Sequence, residues 1–272
     1  MGGRRRVVGE MTAGSVKMTS PLKVWLEAEG GLLRLRLSKP KANLIDAAMI
    51  GALDRALVDH LYNPSLVAVL IDAEGPHFSY GASVEEHLPG QCEAMLQGIN
   101  GLILRMVDAP VTILVAVRGQ CLGGGLEVAL AGHLLFAAPD AALGQPEMKL
   151  GVFAPAASCL LPELIGPARA LDLLLSGRTI SGTEATAIGM AHAAANDPER
   201  AALAYFDEHL KPKSASSLRY AIRAARFDYA ARVKTKMKSV ERLYLDELMK
   251  THDAVAGLQA FAAKRAVQWQ HR

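Results

Sequence analysis

The chain has 272 residues, 51% of them hydrophobic and 21% charged, and a formal net charge of +3. That apolar share describes a soluble globular protein with one large core, or a main domain carrying a smaller helical appendage. So small a net charge does not imply a polyanionic partner for the whole molecule, although between Lys211 and Arg242 ten basic residues face only Asp228 and Glu241, an excess that suits a phosphate-bearing ligand or a solvated helix face.

Residues 1–20 carry basic side chains but neither a sustained apolar stretch nor a small-residue cleavage site. They read as a disordered extension, not a secretory signal, with Met18 as an alternative start. From Val24 to Leu37, "VWLEAEGGLLRLRL" alternates apolar and polar residues around Gly30-Gly31, the pattern of a hairpin with one buried face. "DAAMIGALDRALVDH", from Asp46 to His60, repeats apolar residues at three- and four-residue steps behind an Asp cap, so it is predicted helical. "VAVLIDAEG" is a short apolar run ended by Gly75-Pro76, a buried strand. The alternation returns with a helix in "EAMLQGINGLILRMVDA", a strand in "VTILVAVRG", a glycine turn and helix in "CLGGGLEVAL" and a strand in "HLLFAA". Strand-helix order over residues 24–140 predicts an α/β core of repeated crossover units. Beyond Pro162 the chain is mostly helical, through "LPELIGPARALDLLLSG", "SGTEATAIGMA" and the stretch from Ser214 to Gln270.

The apolar run 121–139 is interrupted by Glu127, His133 and four glycines, which makes a poor membrane span where about 20 apolar residues are needed. Cys92, Cys121 and Cys159 cannot all pair within the chain and show no metal spacing; they fit a reducing cytoplasm. His77, His87 and His133 likewise lack a ligand spacing and read as structural. No dinucleotide loop, nucleotide loop or serine elbow is present.

Gly123, Gly124 and Gly125 open a helix directly after a buried strand, where unpaired N–H groups and the positive dipole end stabilise negative charge. Without side chains, they let a ligand reach the main chain. Glu127, three residues after Gly124, returns to roughly the same side, so an oxyanion donor and a base share one volume. The same glycines equally permit close helix packing, and a partly buried Glu can be a structural acceptor. "HFSYGASVEEHLP", 77–89, follows its strand as the glycines follow theirs, and "LGQPEMKLGV", 143–152, adds Glu147 in a turn begun by Pro146.

In this order, F-S-x-G-A at 78–82, G-G-G-L-E at 123–127 and G-Q-P-E at 144–147 resemble the crotonase (enoyl-CoA hydratase/isomerase) superfamily over roughly residues 24–270. The resemblance implies an α/β spiral of β-β-α units over 21–210, a C-terminal helical trimerisation region over 211–272, and a homotrimer or dimer of trimers. It implies an acyl-CoA thioester as the partner, with CoA part of the substrate, and no resident cofactor, metal, membrane or nucleic acid. The amides of Ala82 and Gly124 would hold the thioester oxygen, worth roughly 3 kcal/mol per donor, while Glu127 and Glu147 would divide the work of base and acid on one water. Substrate contacts would come from Tyr80, Gly81 and Gly123. "KPKANLID" resembles the CoA-binding N-terminal stretch, assigning Lys41 to a phosphate and Ala42 to the adenine. "FAAKR", 261–265, assigns Lys264 to CoA phosphates from a neighbouring subunit, with Ala263 in place of the usual acid.

Two departures, Ser83 in place of Asp and "FAPAASCL" in place of a glycine-rich turn, point to an unusual acyl group. "SYGASVEEHLP" is similar to the dienoyl-CoA hydratases of anaerobic aromatic degradation, which implies hydration of cyclohexa-1,5-diene-1-carbonyl-CoA. The alternatives are a general enoyl-CoA hydratase or isomerase and, from another class, a non-catalytic CoA- or RNA-binding scaffold of the same fold.

Overall fold

Two leucine-rich runs either side of Gly30-Gly31 pair antiparallel as β1 (Leu22–Glu27) and β2 (Leu32–Leu37), with Leu22 opposite Leu37. The computed structural model describes residues 20–39 and 41–272; the extension expected over 1–20 falls outside them except for Ser20. β2 departs from the one-sided burial its alternation predicts. Arg34 is 3% exposed because its guanidinium meets Asp72 and Glu199, each at 2.6 Å, and a paired charge can be carried inside.

α1 (Ala47–His60) begins where Asp46 accepts the Met49 amide at 3.0 Å, as its cap predicts. β3 (Ala68–Ala73) runs parallel to β2, α2 (Cys92–Val107) crosses over, and β4 (Thr112–Val117) pairs parallel with β3. β5 (Gln120–Leu122), α3 (Gly124–Ala131), β6 (Leu134–Ala137) and β7 (Ala142–Gly144) follow. Gly166, at φ 78°, divides the expected 161–177 helix into α4 (Pro155–Ile165) and α5 (Pro167–Ser176). The remaining elements are β8 (Thr179–Ser181), α6 (Gly182–Ala187), β9 (Ala193–Ala194), α7 (Pro198–Tyr205), α8 (Ala215–Arg242) and α9 (His252–Ala262).

The main sheet has the order β1-β2-β3-β4-β6-β9, all parallel except the first pair. Its side chains alternate between two cores, as period-two geometry requires. Val69, Ile71, Ile113 and Val115 join the larger core with α1, α2 and α3. Ala68, Leu70, Leu114 and Ala116 meet Ala202 and Phe206 on the other face. A second sheet, β5-β7-β8, is extended by parallel bridges of Ser79 with Cys121 and Ile45 with Ala82. The successive crossovers therefore leave pairs of strands in two sheets, one long and one short. Val233 and Met237 of α8, Tyr244 in the turn just beyond it, and Leu258 of α9 enter the larger core, so the C-terminal helices share it. Among the described residues no helix is long and apolar enough to cross a membrane.

Candidate active site

The turn after β5 is held by Gly123, whose φ of 49° is left-handed. A side chain there would be strained by that backbone and would also displace the Glu147 carboxylate, since a Cβ would lie 2.6 Å from its Oε1. The Gly123 amide donates to the Gly144 carbonyl at 3.0 Å, tying the glycine turn to the end of β7. Immediately beyond β7, the 3-10 turn Pro146–Leu150 carries Glu147. One main-chain bond thus brings together two segments that each bear an acid.

Every residue of α3 is buried, and Glu127 is carried inside with its helix at 5% exposure. Its Oε1 accepts the Ala157 amide at 2.9 Å, in the first turn of α4, where Ala154 has no side chain able to cap the helix. The carboxylate supplies that missing cap from another element. A Cβ on Gly124 would lie 3.2 Å from the Ala82 nitrogen, so the two chain segments touch there. Neither the Ala82 nor the Gly124 amide donates to an acceptor among the described residues. By contrast, the Gly81 amide is committed to Ser79 Oγ at 3.0 Å.

Burial pushes the Glu127 carboxyl well above the ordinary carboxylate range, against the opposing pull of the Ala157 and Ala156 amides. Burial raises Glu147 as well, and the neighbouring Glu127 charge adds to the rise. Two such acids in one desolvated space retain a proton between them near neutrality. The Gln145 amide, 1% exposed, faces Glu147, and with its nitrogen assigned to that side, as two acceptor oxygens require, it donates to both at 3.2 and 3.1 Å.

Both acids line a cavity of about 280 Å³, along with Ala82 and Gly124. Tyr80, Gly81 and Gly123 line it too; the Tyr80 ring is 44% exposed and stands edge-on to His77 at 5.0 Å. Lys41, Ala42 and Lys264 lie outside the lining, both lysines exposed, while the Ala42 carbonyl accepts the Tyr80 amide at 2.9 Å. A larger hollow of about 660 Å³, between the 107–110 turn and α8, contains neither acid.

His87, read as structural from sequence, lines the acidic cavity. Its Nδ1 donates to the Ser83 carbonyl at 2.8 Å, and burial lowers its pKa, so the ring is kept neutral. His77 and His133 accept main-chain amides of Gln120 and Ile113. Cys121 is fully buried, and burial pushes its thiol up. Among the described residues no group of three or more His, Cys, Asp or Glu could hold a metal. Sequence reasoning missed Gln145, visible beside Glu147 in its motif, and Asn100, a lone amide on the apolar face of α2. Nothing in the sequence marks Tyr244, fully buried with an unpaired hydroxyl and edge-on to Phe153.

Residues 27–272 match the enoyl-CoA hydratase/isomerase family. The chain is 64% identical over 254 residues to the cyclohexa-1,5-dienecarbonyl-CoA hydratase of Thauera aromatica, covering 93% of this chain and 98% of that one. It is 30% identical to the carnitinyl-CoA dehydratase of Salmonella typhi, covering 91% and 98%. A crystal structure of the enoyl-CoA hydratase from Bacillus halodurans superposes with a TM-score of 0.82 at 19% identity, covering 89% and 100%, a likeness of fold.

Proposed function

Because the chain belongs to the enoyl-CoA hydratase/isomerase family, we propose that it is the hydratase of cyclohexa-1,5-diene-1-carbonyl-CoA. The observation that carries the reading is the acid pair, buried Glu127 and half-buried Glu147, sharing one cavity with the uncommitted amides of Ala82 and Gly124. The high identity to the Thauera aromatica hydratase supports the choice of acyl group.

In this reading the thioester oxygen lies on the Ala82 and Gly124 amides. The ionised member of the acid pair takes a proton from water, and the resulting hydroxide adds to the ring carbon β to the carbonyl. The displaced electron pair moves onto the thioester oxygen, where two preorganised donors stabilise the enolate by roughly 3 kcal/mol each. Collapse draws a proton from the other acid to the far end of the conjugated system, giving 6-hydroxycyclohex-1-ene-1-carbonyl-CoA. The pair starts and ends with one proton, so passing it from one oxygen to another resets the site. Desolvation serves both roles by keeping one acid protonated at neutral pH.

CoA arrives with the substrate, and Lys41 and Lys264 are the proposed contacts for its phosphates. Lys264 would come from a neighbouring subunit of a trimer or dimer of trimers. Incubation of purified protein with the dienoyl-CoA, followed by chromatography and mass spectrometry, is expected to show a product heavier by one water and reversion from that product. Faster turnover of crotonyl-CoA, a product of unchanged mass, or full activity in a Glu127→Gln, Glu147→Gln double variant would overturn the assignment.

A further inference from the structure

Two hollows meet along α2, and one side chain borders both. Ala94, Met95 and Gly98 line a hollow of about 370 Å³ together with Ala47, Ile50 and Gly51 of α1. Met95, Leu96 and Ile99, further round the same helix, line the cavity that holds Glu127 and Glu147. At 3.6 residues per turn the two sets form adjacent stripes, and Met95 lies where they meet. Among the described residues it alone belongs to both linings. Its side chain is 6% exposed and packs into the larger core, which makes it a wall. The 3-10 turn Glu85–His87 repeats the division, with His87 on the cavity side and Glu86 on the side of the hollow. Glu86 Oε1 accepts the Ala47 amide at 3.4 Å, tying that turn to the start of α1.

Resting on the acyl-CoA reading above, we propose that Met95 is a specificity-determining residue that closes the acyl cavity at the length of a compact ring, and that the hollow behind it is a blocked extension able to take the tail of a linear acyl group. The distance from the oxyanion amides sets the scale. A Cβ on Gly124 would lie 3.2 Å from Ile99 Cδ1, so Ile99 flanks the thioester end, and Met95 stands four residues back along the helix, about 6 Å away. A ring held by the Ala82 and Gly124 amides needs width more than length. A linear chain of eight carbons on the same amides runs on toward Met95, and to pass it must pull a packed side chain out of the core and forfeit its contacts. Beyond the wall the hollow is mostly apolar and opens at the exposed Ala47 and Ala94. Shortening Met95 therefore joins the two spaces while leaving the amides and both acids in place.

The test compares butanoyl-CoA with octanoyl-CoA, saturated thioesters that cannot be hydrated, by titration calorimetry on the full-length protein. Each methylene taken out of water is worth about fourfold in affinity. Wild-type protein is expected to bind octanoyl-CoA no tighter than butanoyl-CoA, because the four additional methylenes find no space. Met95→Ala is expected to favour octanoyl-CoA at least tenfold, whereas Met95→Leu, which conserves volume, keeps the wild-type ratio. Adding Gly51→Leu to Met95→Ala fills the hollow from α1, where a Cβ would meet nothing within 4 Å, and is expected to return the ratio to about one. A tenfold preference for octanoyl-CoA in the wild type overturns the proposal. No gain in Met95→Ala does so too, as when a second copy of the chain fills the hollow. A gain that survives Gly51→Leu also overturns it, because the tail then runs elsewhere. If Met95→Ala does not fold, Met95→Val carries the same comparison. Failure of the wild-type protein to hydrate the diene, with these ratios as expected, would remove the hydratase reading and leave the acyl boundary standing; failure to bind either thioester would overturn both.

Discussion

An acid carried into an apolar wall weakens the fold in proportion to how often it must ionise. Glu127 and Glu147 both titrate above their ordinary value of 4.5 in the folded protein, chiefly through burial. Between that value and the raised one, the native state holds more protons than the unfolded chain. Stability is then fully present at low pH and is lost as pH rises through the raised titrations. Glu147→Gln removes one such group, so its unfolding free energy is expected to exceed that of the parent by a margin that grows from pH 4.5 upward. Denaturant melts across this range measure the margin; one that stays constant with pH would show that Glu147 titrates in the ordinary range. Glu127 separates differently, because it also caps α4 through the Ala157 amide. Glu127→Gln keeps an acceptor and is expected to lose about 10²-fold or more in kcat without loss of thermal stability. Glu127→Ala should lose a further ~1 kcal/mol of stability with the cap.

The 3-10 turn that bears Glu147 is held from outside by α9 and the tail that follows it. A Cβ on Gly257 of α9 would lie 2.1 Å from the Leu150 carbonyl oxygen and 3.1 Å from Trp269 Cη2. The Asp253 carboxylate accepts the Gln270 and His271 amides, at 2.9 and 2.7 Å, and so fastens the tail against the helix. Gly257→Ala must push α9 off the turn. Overpacking of this kind costs about 1–3 kcal/mol, and a 1 Å displacement of a catalytic group costs about 10²-fold. The expected outcome is a folded enzyme of reduced melting temperature and much reduced kcat, with KM little altered. An unchanged kcat would mean that the turn does not depend on α9. None of this clamp was legible in the sequence, because it joins segments about a hundred residues apart through main-chain atoms. The long elements were legible: α1, α2, β3 and β4 are each long enough to display a period, and Asp46 caps as expected. The three-residue strands β5, β7 and β8 are too short to show one, and the burial of Arg34 depends on Glu199, supplied from α7. The two acids that line one cavity stand in motifs readable from the sequence, whereas Asn100 was hidden because its partner, Glu241, lies on another helix.

At the scale of the whole molecule, α8 is poorly covered. Of its 28 residues only Val233 and Met237 are buried, while Tyr220 and Phe227 are 71% and 69% exposed. Both rings line the hollow of about 660 Å³ with Arg226, whose Nε and Nη2 are buried without a partner. Exposed aromatic surface of this kind marks a site of association, and the proposed trimer or dimer of trimers would cover it. Light scattering is expected to give a mass three or six times that of the 29.0 kDa chain, and Phe227→Glu, which places a charge on that face, should lower it. Assembly also bears on catalysis if Lys264 reaches the CoA of a neighbouring chain. In that case a Glu147→Gln chain lacks an acid in its own site yet still offers its lysine, while a Lys264→Ala chain offers no lysine yet keeps its acids. Mixed trimers then contain sites that draw intact Glu147 from one chain and intact Lys264 from the next. Random mixing in equal amounts makes on the order of a quarter of sites whole, because a closed ring gives each site one fixed donor neighbour. Co-refolded mixtures should therefore show a kcat/KM above the average of the two separate variants. A mixture that merely averages its components would place Lys264 at its own chain's site or away from CoA altogether.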